Sequence, residues 1–246
     1  MTHLYIDIET IPAQRPDVLA EIKATKEAEL AESIAAVKPP GTYKKQETID
    51  EWVKTAQPKV IQDLRDACEA DIDATYRKTS FDGAFGNVCV IGWAFDDDKA
   101  QTVSGRDELY LLAEFFEAIQ SHKFNLFETC VVGHNVAAFD LRFLMQRHIV
   151  KGVKPHPVIV RGAQAKPWES DKVFDTMVQW SGIGNRVSLD KLCKALGIQT
   201  PKGEIDGSKV WDFVQAGRLQ EVAEYCARDV EATRQVHRAM TFQVTA

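Results

Sequence analysis

Three short stretches carry side chains suited to gripping a cation or orienting a proton. The first is Asp7-Ile8-Glu9. Residues two apart on a strand share a face, so these two carboxylates can converge on one cation. The second is Asn135-Val136-Ala137-Ala138-Phe139-Asp140, which sets a carboxylate at the start of a helical pattern just after a strand end. The third is Tyr225-Cys226-Ala227-Arg228-Asp229. A spacing of four on a helix puts its phenol and carboxylate on one face, one turn apart.

Each stretch alone also has an ordinary reading. Asp7 and Glu9 could be edge-strand charges, Asp140 a helix N-cap and Asp229 a solvated carboxylate. Of the five tyrosines, Tyr5, Tyr43 and Tyr110 also have an acid four residues on, so that spacing is cheap in this chain. The weight lies in the combination and its order.

The elements that must position these residues are legible in outline. Leu4 to Ile11 alternates as a strand, with Tyr5, Asp7 and Glu9 on one face and Ile6 and Ile8 on the other. Residues 17–80 are rich in Ala, Glu and Lys, broken by Pro39-Pro40-Gly41, and read as a helical insertion or arm within one domain spanning 1–246. Its second helix is expected from Glu47 to Tyr76, with Ile49, Trp52, Val53, Val60, Ile61 and Leu64 as its apolar face. Phe85 to Phe95 is a nearly continuous apolar run, as in a strand covered on both sides. Asp96-Asp97-Asp98 marks a turn into a short strand at Gln101 to Ser104.

From Asp107, Leu109, Leu112, Phe116 and Ile119 recur at helical spacing. Thr129 to Val132 reads as a strand and Phe139 to Val150 as a helix. Val158 to Val160 and Val173 to Phe174 read as short extended segments. Ser188 is expected to cap a helix ending at Gly197, and Ser208 the next one. The last helix is expected over Leu219 to Met240. This order predicts an α/β domain with a mixed sheet.

Composition sets bounds. Thirty basic against 36 acidic residues give a net charge of −6, which excludes a broad basic footprint for nucleic acid but not a local one. Five cysteines without a C-x-x-C pair argue against a zinc or disulfide framework and for a reducing compartment. The N-terminus enters a strand pattern at once, and no apolar stretch has the length of a membrane helix. A cytoplasmic protein without membrane contact is expected.

In order and context, the three stretches resemble the DEDD superfamily of 3′–5′ exonucleases, in the subclass with tyrosine in its third motif. Asp7-Ile8-Glu9-Thr10 is similar to the first motif, Asn135 to Asp140 to the second, N-x-x-x-F-D, and Tyr225 to Asp229 to the third, Y-x-x-x-D. SLDKLCKALGI, Ile205-Asp206-Gly207 and the final helix are similar to stand-alone exonucleases related to the family B DNA polymerase exonuclease domain. The resemblance covers residues 1–12 and about 81–241. It implies a ribonuclease H-like mixed β-sheet flanked by helices, with the helical insertion after the first strand.

It also implies a site. Asp7, Glu9, Asp140 and Asp229 would hold two divalent ions, Mg2+ or Mn2+, for which carboxylates and water are the right hard ligands. Asp7 would bridge the pair, Glu9 and Asp229 would complete the site of the attacking water, and Asp140 would hold the second ion. Tyr225 would orient that water, since a phenol titrates near pH 10. Together these five are the expected catalytic residues. Thr10, Ile11 and Asn135 are expected to meet substrate, although a structural turn role for Asn135 is equally open.

Phe139 reads as core and His134 as structural. Asp175 matches no ligand position and is expected in a buried hydrogen-bonding role. His237 is given no role. In the insertion, Lys44, Lys45, Lys54 and Lys59 are either strand contacts or solvated charges.

The implied activity is removal of nucleoside 5′-monophosphates from single-stranded DNA, with RNA as the alternative substrate. The partner would be single-stranded nucleic acid, with a replication or repair partner besides. The five converging polar residues argue against a non-catalytic binding module. At 246 residues the chain is expected to hold no polymerase.

Overall fold

The structure is a computed structural model that describes residues 1–201 and 203–243. β1 (Thr2–Ile11) is the middle strand of a five-stranded sheet. β2 (Asn87–Phe95) pairs antiparallel with β1, and β3 (Gln101–Ser104) antiparallel with β2. On the other side β4 (Thr129–Gly133) runs parallel to β1, and β5 (Val173–Asp175) parallel to β4. The order is β3-β2-β1-β4-β5.

Between β1 and β2 lie α1 (Pro16–Ala35), α2 (Gln46–Thr55) and α3 (Gln57–Lys78). After β3 come α4 (Glu108–Ser121), α5 (Asp140–Lys151) and α6 (Pro157–Ala163). After β5 come α7 (Thr176–Ser181), α8 (Leu189–Leu196), α9 (Val210–Gln215) and α10 (Leu219–Met240). No helix among the described residues is long and apolar enough to cross a membrane.

The alternation of β1 decides where the site falls. Leu4, Ile6 and Ile8 pack with Ile91, Leu111, Phe115, Leu141 and Leu144 in the main core on the α4–α5 side. Each such fully buried side chain contributes about 1.5–3 kcal/mol. Tyr5 packs on the opposite side against Val230 of α10. Asp7 and Glu9 share the face of Tyr5, so they meet α10. A register shift between Glu9 and Thr10 marks a bulge in the β1–β2 pairing just beyond the two acids, a common device beside functional sites.

A buried ion pair fixes the segment after α3 to α5. Arg147 forks onto Glu108 at 2.9 and 2.8 Å, and its other nitrogen donates to the Gly83 carbonyl at 3.0 Å. Glu108 also accepts from the Val88 backbone at 2.8 Å, tying the start of β2 to the same point.

Several local expectations are corrected. Val158 to Val160 is helical, because the His156 ring nitrogen caps it and Pro157 suits the first turn. The stretch expected as one helix over 47–76 breaks at Ala56, just before Pro58. Within it Val53 and Val60 are exposed. α4 buries Leu111, Leu112, Phe115 and Ile119, while Leu109 is exposed: two apolar stripes overlap there, and the inner one is rotated from the expected face. Ser208 does not cap α9; its hydroxyl turns back to Asp206. Ser188 does cap α8, and Gly197 ends it with a positive φ of 69°.

Candidate active site

Each acidic stretch arrives on a different element, and all three meet above the middle of the sheet. Asp7 and Glu9 project from β1 toward α10. One ligand atom each from Asp7, Glu9 and Cys226 lies within 4.8 Å of the others. The Cys226 thiol donates to the Asp7 backbone carbonyl at 3.4 Å and lies 3.4 Å from Asp7 Oδ2.

α10 comes this close because of Gly92, the cross-strand partner of Asp7. A Cβ at Gly92 would stand 2.7 Å from Cys226 Sγ and 3.1 Å from Val230 Cγ2. A glycine inside an otherwise apolar strand is the sequence signal for such close approach.

Asp140 arrives from the other side of β1. β4 pairs with β1 only as far as Tyr5–Val132, so β1 runs on past the pairing. The Ile8 N–H there donates to Asp140 Oδ1 at 3.0 Å. The β4–α5 turn that delivers Asp140 is tight. Gly133 has room for no side chain, with Val136 Cβ 2.4 Å from where its own Cβ would be, and Asn135 has a left-handed φ of 63°.

Asp175 holds that turn. It is buried and accepts backbone N–H bonds from Asn135 (3.0 Å), Ala137 (3.1 Å), Met177 (3.0 Å) and Val178 (3.3 Å). It thus caps α7 and clamps the second motif in one stroke, the hydrogen-bonding role expected of it. His134 bridges Thr176 Oγ1 at 2.9 Å and the Val187 carbonyl at 2.8 Å, which is also structural.

The electrostatics of the cluster are those of a site built around positive charge. Burial, then Asp229, Glu9 and Asp140, pushes the Asp7 carboxyl well up from its ordinary value. Burial, then Asp229 and Asp140, does the same to Glu9. Burial raises Asp140, against the hydrogen bonds from its own and the Ile8 N–H. Burial raises Asp229, opposed by the Tyr225 phenol. Tyr225 is pushed far up by burial and then by Asp229 and Glu9, so its hydroxyl keeps its proton. Asp229 Oδ1 is buried with no hydrogen-bond partner. An orphaned carboxylate oxygen beside mutually repelling carboxylates, all with hard oxygen donors, fits divalent cations well.

The three expected substrate contacts fare differently. Thr10 lies beside the cluster, but its hydroxyl donates to the Ser80 carbonyl at 2.7 Å. Ile11 is 2% exposed, packs with Val210 and Phe213, and pairs with Asn87 at the end of β1, so its side chain belongs to the core. The Asn135 side chain lines a groove, and its amide has no bond to another described residue. Phe139 packs on the core as expected. His237, given no role, is buried between α10 and the sheet with its Nδ1 3.0 Å from the Tyr5 hydroxyl.

The profile of a family described as a predicted 3′–5′ exonuclease related to the exonuclease domain of PolB matches residues 85–244. That span holds Asp140, Tyr225 and Asp229, while Asp7 and Glu9 precede it. The family B DNA polymerase from the hyperthermophilic archaeon Pyrobaculum calidifontis is similar in structure, with a TM-score of 0.51 and 19% identity. The likeness covers 65% of this chain and 22% of the polymerase, and at that identity it speaks for the fold, the expected ribonuclease H-like sheet with flanking helices. No curated protein sequence matches. The profile match takes in more than half of the chain, and the chain belongs to the family of predicted 3′–5′ exonucleases related to the exonuclease domain of PolB.

Proposed function

We propose that the chain is a 3′–5′ exonuclease that hydrolyses the terminal phosphodiester of single-stranded DNA with two divalent ions, releasing nucleoside 5′-monophosphates. The observation that carries this reading is the convergence of Asp7, Glu9, Asp140 and Asp229 with Tyr225, drawn from β1, α5 and α10. Family membership supplies the polarity.

In this reading Asp7, Glu9, Asp140 and Asp229 hold two Mg2+ or Mn2+ ions. When bound, such ions neutralise phosphate charge, activate water and stabilise the leaving alkoxide. The rest falls to the chain's own groups. Asp140 is held by the Ile8 N–H through Oδ1, so its other oxygen is the one free to serve the site. Tyr225 keeps its proton, so it acts as a donor that orients water rather than as a base. The Asn135 side-chain amide, which lines the groove beside the β4–α5 turn with no bond to another described residue, is suited to the substrate backbone.

The test is degradation of 5′-labelled single-stranded DNA, duplex DNA and RNA in Mg2+, Mn2+ or EDTA. A ladder shortening from the 3′ end on single-stranded DNA, abolished by EDTA, is expected. Immediate release of the labelled 5′ nucleotide, or metal-independent cleavage, would overturn the reading. Faster loss of RNA would transfer it to an exoribonuclease of the same fold.

A further inference from the structure

One cationic stretch of surface is left over once the carboxylate cluster is accounted for. A groove of about 350 Å3 lies between the β4–α5 turn, the segment after α6 and the loop after α7. Arg142 from the first turn of α5, Lys166 from the segment after α6 and Arg186 from the loop after α7 line it. All three are exposed, and none forms an ion pair with another described residue. Asp175 also lines the groove, but four backbone N–H groups occupy its carboxylate. Glu169, beside Lys166, is taken by Lys172. In a chain of net charge −6, three unpaired cations around one groove are a local reversal of sign.

The groove does not stand alone. Ala138 and Arg142 also line a second cavity of about 240 Å3 together with Phe81, Phe139 and Asp82. Phe81 is 67% exposed, with its ring 6.4 Å from that of Phe139, the residue before Asp140. Ser80, next to Phe81, accepts the hydroxyl of Thr10, the neighbour of Glu9. The two cavities share Ala138 and Arg142 and so adjoin at the start of α5, as a trough in two parts. It runs from the exposed ring of Phe81, past the first turn of α5 that carries Asp140, to the cations. Trp168, 77% exposed, follows Pro167 of the lining in the chain.

Cations spaced along a groove with exposed rings at its ends are the pattern of single-strand binding, in which side chains hold phosphates and bases stack. The geometry points to this trough as the path of the single strand upstream of the scissile end, with Arg142, Lys166 and Arg186 on its phosphates and Phe81 under a base. This rests on the exonuclease reading and says where the strand lies. It also moves the strand contact away from Lys44 and Lys45 before α2, Lys54 on α2 and Lys59 on α3, which are exposed and line neither cavity.

The experiment compares wild type with the triple variant Arg142→Gln, Lys166→Gln, Arg186→Gln. Fluorescence anisotropy reads binding of a 5′-labelled single-stranded trimer and 12-mer, with Ca2+ in place of Mg2+ and again in EDTA. The variant is expected to bind the 12-mer roughly 10- to 100-fold more weakly and the trimer within about threefold of wild type. Its salt dependence should flatten by about 2 in log–log slope, since each single-strand phosphate contact contributes about 0.7. Unchanged 12-mer affinity and slope, or equal loss on both lengths, would overturn the trough. Hydrolysis of the nitrophenyl ester of thymidine 5′-monophosphate by wild type in Mn2+ tests the exonuclease reading separately. Failure of that assay together with failure to degrade any polymer would sink the activity, while the binding data still decide the trough.

Discussion

Asp140 Oδ1 accepts the backbone N–H of Ile8 at 3.0 Å, across the edge of β1. One bond thus fixes the second motif to the strand that carries the first. Asp140→Asn keeps a carbonyl oxygen for Ile8 but loses the charge. Nuclease activity should fall by at least about a hundredfold, the scale of losing one group from a concerted site. The metal-free protein should melt at a higher temperature than wild type, because one member of a repelling, buried cluster has gone. Near-wild-type degradation would remove Asp140 from the mechanism.

Divalent cations should stabilise the protein. Four carboxylates raised by burial, Asp7, Glu9 and Asp140 also by neighbouring carboxylates, with Asp229 Oδ1 unpartnered, leave a folded state that gains from binding positive charge. A ligand at a hundred times its Kd adds about 2.7 kcal/mol. For a chain of this size that is roughly 5–10 °C in Tm. Thermal melts with Mg2+, Mn2+ and EDTA would show it, and Asp140→Asn should blunt the shift. Identical melting in Mn2+ and EDTA would speak against a metal centre.

Gly92→Ala tests whether α10 must lie this close to β1. The added Cβ meets Cys226 Sγ at 2.7 Å and Val230 Cγ2 at 3.1 Å. Overpacking of that kind costs about 1–3 kcal/mol. Activity should fall more than stability alone explains, because Tyr225 and Asp229 ride on the displaced helix. Adding Cys226→Ala removes the nearer obstacle, so the double variant should recover part of both losses, a non-additivity expected of touching residues. Strict additivity in urea unfolding would show that the helix does not rest on this contact.

The sequence was most legible where period and chemistry coincide. The alternation of β1 put Asp7 and Glu9 on one face, and the spacing of Tyr225 and Asp229 put both on one side of α10. Asp175 was legible as a buried hydrogen-bonding acid, though not the four N–H groups it gathers. What stayed hidden depended on pairing between distant segments. Nothing local in Gly92 says that Cys226 will sit over it, and nothing in Ile11 says that its side chain joins the core with Phe213. The trough was hidden for the same reason: Arg142, Lys166 and Arg186 are far apart in the chain and meet only because β4 and β5 end together. The overlapping stripes of α4 and the proline-led start of α6 misled by local pattern alone.

Tyr225→Phe separates orientation from metal binding. The phenol is held protonated by burial and by Asp229 and Glu9, so its contribution is a hydrogen bond in the reacting state. Turnover should slow roughly ten- to a thousandfold, the range of a positioned proton donor. The stabilisation by Mn2+ in thermal melts should persist, because no carboxylate is lost. An unchanged rate would leave Tyr225 outside the mechanism.

His237, two turns beyond Asp229 on α10, gives the protein a pH-dependent stability. It is 2% exposed, with Nδ1 3.0 Å from the Tyr5 hydroxyl, and packs against Phe174 and His3. Burial, with His3 and Arg238 adding positive charge nearby, lowers it to about 4 from the ordinary 6.5. Arg234 lies over the Tyr5 ring, and the nearby acid Asp96 pairs with His3 rather than with His237. The folded state therefore keeps His237 neutral where the unfolded chain already binds a proton. Stability is full above about pH 6.5 and falls as pH drops toward 4, where the loss levels off. At pH 4.5 it should amount to about 2–3 kcal/mol relative to pH 7.5, because each pH unit between the folded and unfolded titrations is worth about 1.36 kcal/mol. His237→Gln keeps a partner for Tyr5 and cannot titrate. Urea unfolding of both proteins at the two pH values should show the variant losing less on acidification, by about that amount. Parallel losses would mean that His237 charges as freely in the fold as out of it.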